Sequence, residues 1–283
     1  MPKIGIIGGT GLYHMEGLED IKEVKVETPF GEPSDSYIIG NLGGVEIAFL
    51  VRHKRGHTIL PTELNYRANI FGMKKLGVEH LISISSVGSF KKELKPLDIL
   101  IQDQFVDNTN QGRKTTFFGQ GIVAHISFSE PVCPDLRKTI YDAGKRLGLA
   151  MHDKGTYLNM EGPAFSTRAE SLLHKSWGID VIGMTNMPEA RLAREAEICF
   201  ATIALITDYD CWHEETVSID IIVGNLLKNV DAVKKLVKAV IPQIPKDRKC
   251  NCTNALKHAF LTDKKLISDD IKEKLGIIIG KYM

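Results

Sequence analysis

The chain predicts an α/β fold, with helices covering both faces of a largely parallel or mixed sheet and a short helical tail at the C-terminus. Three observations predict it. Apolar, Val- and Ile-rich runs alternate with amphipathic stretches over most of the length. Several of those runs are continuous, as in strands buried on both faces. The 283 residues are 43% hydrophobic and 25% charged, enough for a sizeable core and against wholesale disorder.

The elements follow in order. Lys3–Ile7 reads as a strand closed by Gly8-Gly9, and Val45–Val51 and His80–Ser85 as two more. Asp98–Gln102, Gly155–Met160, Asp180–Met184 and Cys199–Thr207 complete the strands. Between them, Tyr66, Ile70 and Met73 share one helical face, after Pro61-Thr62 as a start and before Gly77 as a stop. Leu136, Ile140 and Leu147 repeat that rhythm up to Gly148, and Ser218–Val240 is a third amphipathic stretch. Ile241-Pro242-Gln243-Ile244-Pro245 cannot continue that helix. Asn254 and Ser268-Asp269-Asp270 open short helices in the tail. The expected organisation is an α/β domain over 1–245 and a helical extension over 246–283, packing on that domain or on a neighbouring subunit.

Charge excludes two partners. Lys and Arg total 36 against 35 acidic residues, so a net +1 supplies no global field for nucleic acid or an anionic membrane. No apolar run approaches the ~18 residues a bilayer helix needs. Met1-Pro2-Lys3-Ile4-Gly5 lacks the form of a signal peptide, so the default is a cytoplasmic enzyme or binding protein.

Three strand ends carry groups suited to one small anion. Gly8-Gly9-Thr10-Gly11 fails the dinucleotide fingerprint, because His14 stands where its third glycine belongs, and it lacks the Gly-Lys-Ser/Thr of a P-loop. What remains is a glycine turn with free N–H groups and one hydroxyl, either a structural turn or an anion cradle. Arg52-His53-Lys54-Arg55-Gly56-His57 is a solvated loop or an anion site in which Arg offers a planar fork. No Glu-x-x spacing supports zinc on His53 and His57. Ser85-Ser86-Val87-Gly88-Ser89 adds hydroxyls after a third strand, and ligands of open α/β sheets gather at such carboxyl ends. No Gly-x-Ser-x-Gly elbow supports a serine hydrolase.

Thr207-Asp208-Tyr209-Asp210-Cys211-Trp212 ends a buried strand. In extended chain Asp208 and Asp210 share a face. Like charge and burial should raise at least one pKa, leaving a carboxylic acid able to donate a proton near neutrality. The alternative is a solvated Asp pair in a turn.

Gly5–Gly11, Arg52-His53, Asn65–Asn69, Glu161-Gly162-Pro163 with Phe165–Glu170, Met184-Thr185 with Pro188-Glu189, and Thr207–Trp212 occur in this order. Together, over about residues 3–245, they resemble the methylthioadenosine-cleaving branch of the purine nucleoside phosphorylase superfamily. The resemblance implies a single three-layer α/β domain with a central mixed β-sheet flanked by helices. It implies phosphorolysis of 5′-methylthioadenosine to adenine and 5-methylthioribose 1-phosphate, a purine and methionine salvage step. No metal or organic cofactor is implied; phosphate is a co-substrate.

By that resemblance Thr10, Arg52, His53, Ser85, Ser86 and Thr185 hold phosphate, and Met184 lines the ribose. Phe165 and Ser166 meet the base, with Asp208 and Asp210 as the catalytic pair on its N7 and N6 side. His125, donated across a subunit interface, Ile219 and Ile222 bound the 5′-methylthio pocket. A homo-oligomer, trimer or dimer of trimers, is implied. Related 6-oxopurine enzymes place Glu where this chain has Ser166 and Asn where it has Asp208, which favours a 6-aminopurine. Ala164, Lys54 and Ser86 depart from common family residues. Two readings stay open: a broad or 6-oxopurine nucleoside phosphorylase, and a non-catalytic nucleoside-binding protein.

The five cysteines are Cys133, Cys199, Cys211, Cys250 and Cys252. Cys250, Cys252 and His258 supply three ligands where structural zinc wants four, so no metal is expected. The Cys250/Cys252 tail resembles that of heat-loving archaeal members, and disulfides Cys250–Cys252 and Cys133–Cys199 are expected on that ground.

Overall fold

The computed structural model describes residues 1–9, 17–213 and 218–283. Its eleven-stranded sheet is mixed. Strands β1 (Ile4–Gly8), β2 (Leu18–Val24), β3 (Tyr37–Leu42), β4 (Val45–Val51) and β5 (His80–Ser89) form one half. Strands β6 (Ile99–Leu100), β7 (Gln104–Asn108), β8 (Met151–His152), β9 (Thr156–Met160), β10 (Val181–Gly183) and β11 (Cys199–Tyr209) form the other. Among the described residues six α-helices accompany them: α1 (Tyr66–Lys75), α2 (Pro134–Arg146), α3 (Arg168–Ser176), α4 (Asn186–Glu195), α5 (Ile219–Val240) and α6 (Asp269–Ile279).

Side-chain alternation in the central strands makes the three layers. Ile6, Ile82, Ile84, Ala201, Ile203 and Leu205 face α2 and α5, whose Leu136, Ile140, Val233 and Leu236 complete one core. Ile7, Leu81 and Phe200 face the other way, onto Ile70 and Met73 of α1, Ala190 and Leu192 of α4, and Leu275 and Ile279 of α6. Buried on both faces, these strands read as the continuous apolar runs of the sequence.

Several elements differ from expectation. β5 continues past Ser85 to Ser89, because β11 pairs along its whole length. β2, mostly exposed, is an edge strand paired to β3 and carries no apolar run. Nearly all of α4 is buried, so it lacks the polar face that marks a helix in sequence. In the tail, Asn254 closes a 3-10 turn (Asn251–Asn254) rather than opening a helix, whereas Ser268 caps α6 through its side chain. The extension packs on the main body: Leu256, Ala259, Ile267, Leu275 and Ile278 are buried in the core shared with α1 and α4.

The feature that positions a site is the changing partner of β5. β11 occupies one edge from His80 to Ser89. Along the other edge, β1 pairs in parallel with His80–Ser83, and β10 pairs antiparallel with Gly88 and Ser89. Between them, residues 84–87 have no strand partner on that edge among the described residues. Such a switch point leaves a crevice where backbone and side-chain polar groups can meet a ligand.

Candidate active site

Arg52 stands at the mouth of this gap. It follows β4, its N–H donates to the Gly8 carbonyl (2.9 Å), and its side chain is buried. Nη1 donates to the Ile84 carbonyl (2.9 Å) and Nη2 to Ser83 Oγ (2.7 Å). Glu189 of α4 accepts from Nε (2.5 Å) and from Nη2 (3.2 Å), a two-point charged pair. Ser83 Oγ also donates to Glu189 (2.6 Å) and accepts from Asn186 Nδ2 (2.8 Å). Asn186 Oδ1 accepts in turn from Gln102 (3.0 Å) and Thr202 (2.5 Å). Most of the five guanidinium hydrogens are therefore committed inside the protein. Arg52, expected as the planar fork for phosphate, spends these hydrogens on bracing the split sheet.

The other predicted anion ligands line the gap. Ser85 and Ser86 sit within β5, between its two edge partners, and not on a turn after it. Thr185 is the buried N-cap of α4, and its side chain makes no capping bond. Tyr157 Oη links the two, at 3.4 Å from Ser85 Oγ and in a hydrogen bond with the Thr185 backbone. The α4 N-terminus thus adds its positive end to the Ser85–Thr185 edge. Burial, with Arg52 beside it, pushes the His53 imidazole down to about 4, so the ring is neutral near pH 7. Its Nδ1 then donates to the Ile59 carbonyl (2.9 Å), which leaves Nε2 as an acceptor. Thr10 lies outside the described residues.

At the far end of the gap, β11 carries the carboxylates. The β11–β5 register slips between Ile206 and Asp208, so Thr207 is an extra residue and Asp208 is re-aimed. The bulge is held by Thr207 Oγ1 donating to the Val87 carbonyl (3.2 Å) and by Asn225 of α5 donating to the Thr207 carbonyl (2.7 Å). Asp208 faces Gly88, where a Cβ would lie 3.0 Å from its Oδ2 and 3.4 Å from Asp210 Cβ. Burial, and more weakly Asp210, push the Asp208 carboxyl up to about 6 against a hydrogen bond from Thr207 (2.7 Å). Burial also raises Asp210, against the polar pull of Ser171 and the Cys211 N–H. Asp210 Oδ2 is buried with no hydrogen-bond partner. Two raised carboxyls, one with an unanswered acceptor, can hold one proton and still accept another hydrogen.

The base and ribose candidates come from the turns after β9 and β10. Ser166 is buried and Phe165 is 43% exposed, just before α3, whose Thr167–Glu170 capping box sets its start. Met184 approaches Gly162 so closely that a Cβ there would meet its Sδ at 2.5 Å, and Gly162 has φ +70°. The positive φ is the demand that favours glycine there. Arg113 carries no local sequence signal, yet it clamps this wall. Nε donates to Glu161 Oε1 (2.7 Å), Nη2 to the Glu161 carbonyl (2.6 Å), and Nη1 to the Met184 carbonyl. Tyr66 stacks beneath its guanidinium at 5.8 Å.

Ile222 lies one turn before Asn225 on α5 and is half-buried; Ile219, a turn earlier, is 68% exposed. Ile222, three residues before Asn225, neighbours it on the helix surface. His125 is exposed, and its N–H donates to the Ala259 carbonyl (2.8 Å); no contact joins it to the other candidates among the described residues. The cysteines correct an expectation. All five are free thiols, and Cys199 Sγ lies 3.3 Å from Cys250 Sγ, across the expected pairs.

A family model described as the phosphorylase superfamily matches residues 3–242. The chain is 56% identical to the S-methyl-5′-thioadenosine phosphorylase of Geobacter sulfurreducens, covering 99% of both chains. It is 55% identical to that of Koribacter versatilis, covering 99% of this chain and 96% of the relative. Among solved structures, a methylthioadenosine phosphorylase from an Antarctic soil metagenomic library superposes with a TM-score of 0.93 at 46% identity, covering 98% of each chain. The Schistosoma mansoni methylthioadenosine phosphorylase in complex with adenine follows with a TM-score of 0.85 at 35% identity, covering 91% of this chain and 96% of that one.

Proposed function

The chain belongs to the phosphorylase superfamily, and we propose that it catalyses phosphorolysis of 5′-methylthioadenosine to adenine and 5-methylthioribose 1-phosphate. Near-full-length identity to enzymes of that name supports the reaction. The observation that carries it within this chain is the Asp208–Asp210 pair, buried, raised and with one oxygen unanswered, at the end of a gap edged by Ser85 and Thr185.

In this reading Ser85, Ser86, Thr185 and the α4 N-terminus hold phosphate. Neutral His53 accepts from the P–OH of monohydrogen phosphate. A phosphate oxygen attacks C1′ as the bond to N9 breaks, so positive charge builds on the sugar and negative charge on adenine. Protonated Asp208 gives its proton to N7, and Asp210 accepts from the 6-amino group. Ser166 donates to N1, Met184 packs on the ribose, and Phe165 on the base. Positioning and preorganised charge supply the rate, and no organic cofactor takes part. Ile219 and Ile222 offer an apolar wall to the methylthio group.

His125 stands beside exposed Val123 and Leu261, which are bridged by a backbone hydrogen bond of 2.9 Å. This apolar surface suits a neighbouring subunit, so that His125 completes the partner's 5′ pocket in a trimer or dimer of trimers. No helix among the described residues is long and apolar enough to cross a membrane, and the proposed setting is cytoplasmic purine and methionine salvage.

The test is adenine release from methylthioadenosine with and without phosphate, alongside adenosine and inosine. Phosphate-dependent release that favours methylthioadenosine is expected. Release without phosphate, or a preference for inosine, would overturn the proposal.

A further inference from the structure

The end of β11 opposite Asp208 holds a second cluster that phosphorolysis does not use. Cys199 begins β11, Cys133 is the N-cap of α2, and Cys250 and Cys252 come from the turn that opens the C-terminal extension. Their four sulfur atoms lie within 4.8 Å of one another. Cys133, Cys199 and Cys252 are buried and Cys250 is half-buried.

We propose that Cys133, Cys199, Cys250 and Cys252 bind a single tetrahedral divalent ion, zinc by the softness of the ligands, and that the ion fastens the extension to the α/β body. Four sulfurs around zinc at ~2.3 Å stand about 3.8 Å apart, so the observed set needs only small adjustments to close on an ion. A disulfide needs sulfurs ~2.0 Å apart in pairs, whereas here four thiols converge on one centre. The set is too compact to enclose a polynuclear iron–sulfur cluster. All four ligands are thiols, which select zinc or iron over the hard cations.

The surroundings suit the charge that results. The ion displaces the thiol protons to solvent, and four thiolates leave the site with a net negative charge. The positive end of the 13-residue α2 lies at Cys133, and Arg248 and Lys249 immediately precede Cys250. Arg248 is itself held nearby, Nη1 donating to the Glu197 carbonyl (2.7 Å).

Two ligands belong to the body and two to the extension, so the ion cross-links segments far apart in sequence. Cys250-x-Cys252 is the only local hint. The expected third ligand, His258, is exposed and outside the set. Cys199 and Asp208 are nine residues apart on one strand, roughly 30 Å at ~3.3 Å per residue. The role is structural, and loss of the ion should leave the catalytic step intact.

The experiment uses the full chain, expressed with added zinc and purified under reductant without chelator. Elemental analysis should find about one zinc per chain. Exchange with cobalt should give the intense d–d bands of a tetrahedral thiolate site. Cys252→Ser should lose the metal and lower Tm, whereas Cys252→His, which keeps four ligands, should retain it. Adenine release by folded Cys252→Ser should match the wild type. Should the serine variant not fold, chelation of the wild type followed by zinc or cobalt refilling gives the same reading. The proposal is overturned if the protein as purified and after refilling holds no stoichiometric metal. That result would come with either the mass deficit of two disulfides or five free thiols in denaturant.

Discussion

Two buried charged pairs meet β5, Arg52–Glu189 beside the gap in one edge and Asp208–Asp210 from the β11 side, and they are built in opposite ways. Arg52–Glu189 meets it at Ser83 and Ile84 as a nearly closed network: opposite charges, two-point contact, and partners for most of the remaining hydrogens. Asp208–Asp210 meets it at Gly88 and Ser89 as an open one: like charges, both carboxyls raised, and Asp210 Oδ2 without a partner. A closed pair can only hold its neighbours in place. An open pair is unfavourable on its own, and a ligand that completes it relieves that cost. The contrast separates the brace of this site from its chemistry.

The largest expected effect falls on the open pair. Asp208→Asn keeps the shape and removes the acid, so catalytic efficiency on methylthioadenosine should drop by about 10²–10⁴. Methylthioinosine, whose 6-oxo oxygen the new amide can meet, should lose far less. Steady-state kinetics on both substrates check this, and an unchanged ratio would move the proton to Asp210.

Next comes the closed pair. Glu189→Ala leaves the Arg52 guanidinium buried and unpaired and should cost about 3–5 kcal/mol in urea unfolding. Replacing both partners, as Arg52→Met with Glu189→Leu, should recover much of that stability. A loss from Glu189→Ala below about 1 kcal/mol, the level of an exposed ion pair, would deny that the pair is a buried brace.

Gly88→Ala tests how finely the open pair is placed. The new Cβ would press on Asp208 Oδ2 from 3.0 Å. A shift of a few tenths of an ångström should lower kcat about tenfold and spare the KM for phosphate. Equal losses in both would mean that the whole gap had moved.

The smallest effect is on stability against pH. The folded Asp208 pKa, about 6, exceeds its unfolded value. Its protonated form therefore stabilises the fold fully below the unfolded pKa, and that contribution is lost as pH rises through about 6. Between about pH 5 and 7.5 the wild type should lose about 1 kcal/mol that Asp208→Asn does not. Parallel urea curves for the two proteins would contradict a raised Asp208.

The candidate site was partly legible before the fold was known. Asp208 and Asp210 were legible because alternation along a strand is a local rule, and an apolar run ending in two carboxylates marks buried charge. Ser85, Ser86 and Thr185 were legible as hydroxyls near strand ends, although β5 runs straight through its two serines. Arg113 was not, since its partners Glu161 and Met184 lie 48 and 71 residues away. Nor was the commitment of Arg52 to Glu189, 137 residues away: a local arginine looks free until something buries beside it.

By itself the sequence determined the layer architecture, the main strands and helices, and the residue types gathered at the strand ends. Periodicity and turn chemistry act within a few residues, and the chain displays them directly. The tertiary structure alone decided which charges are spent and which remain open. It split the edge of β5 between β1 and β10, bulged β11 at Thr207, locked Arg52 to Glu189, and drew four cysteines to one point. Each depends on segments distant in the chain sharing one small volume, where burial and the satisfaction of polar groups are settled together.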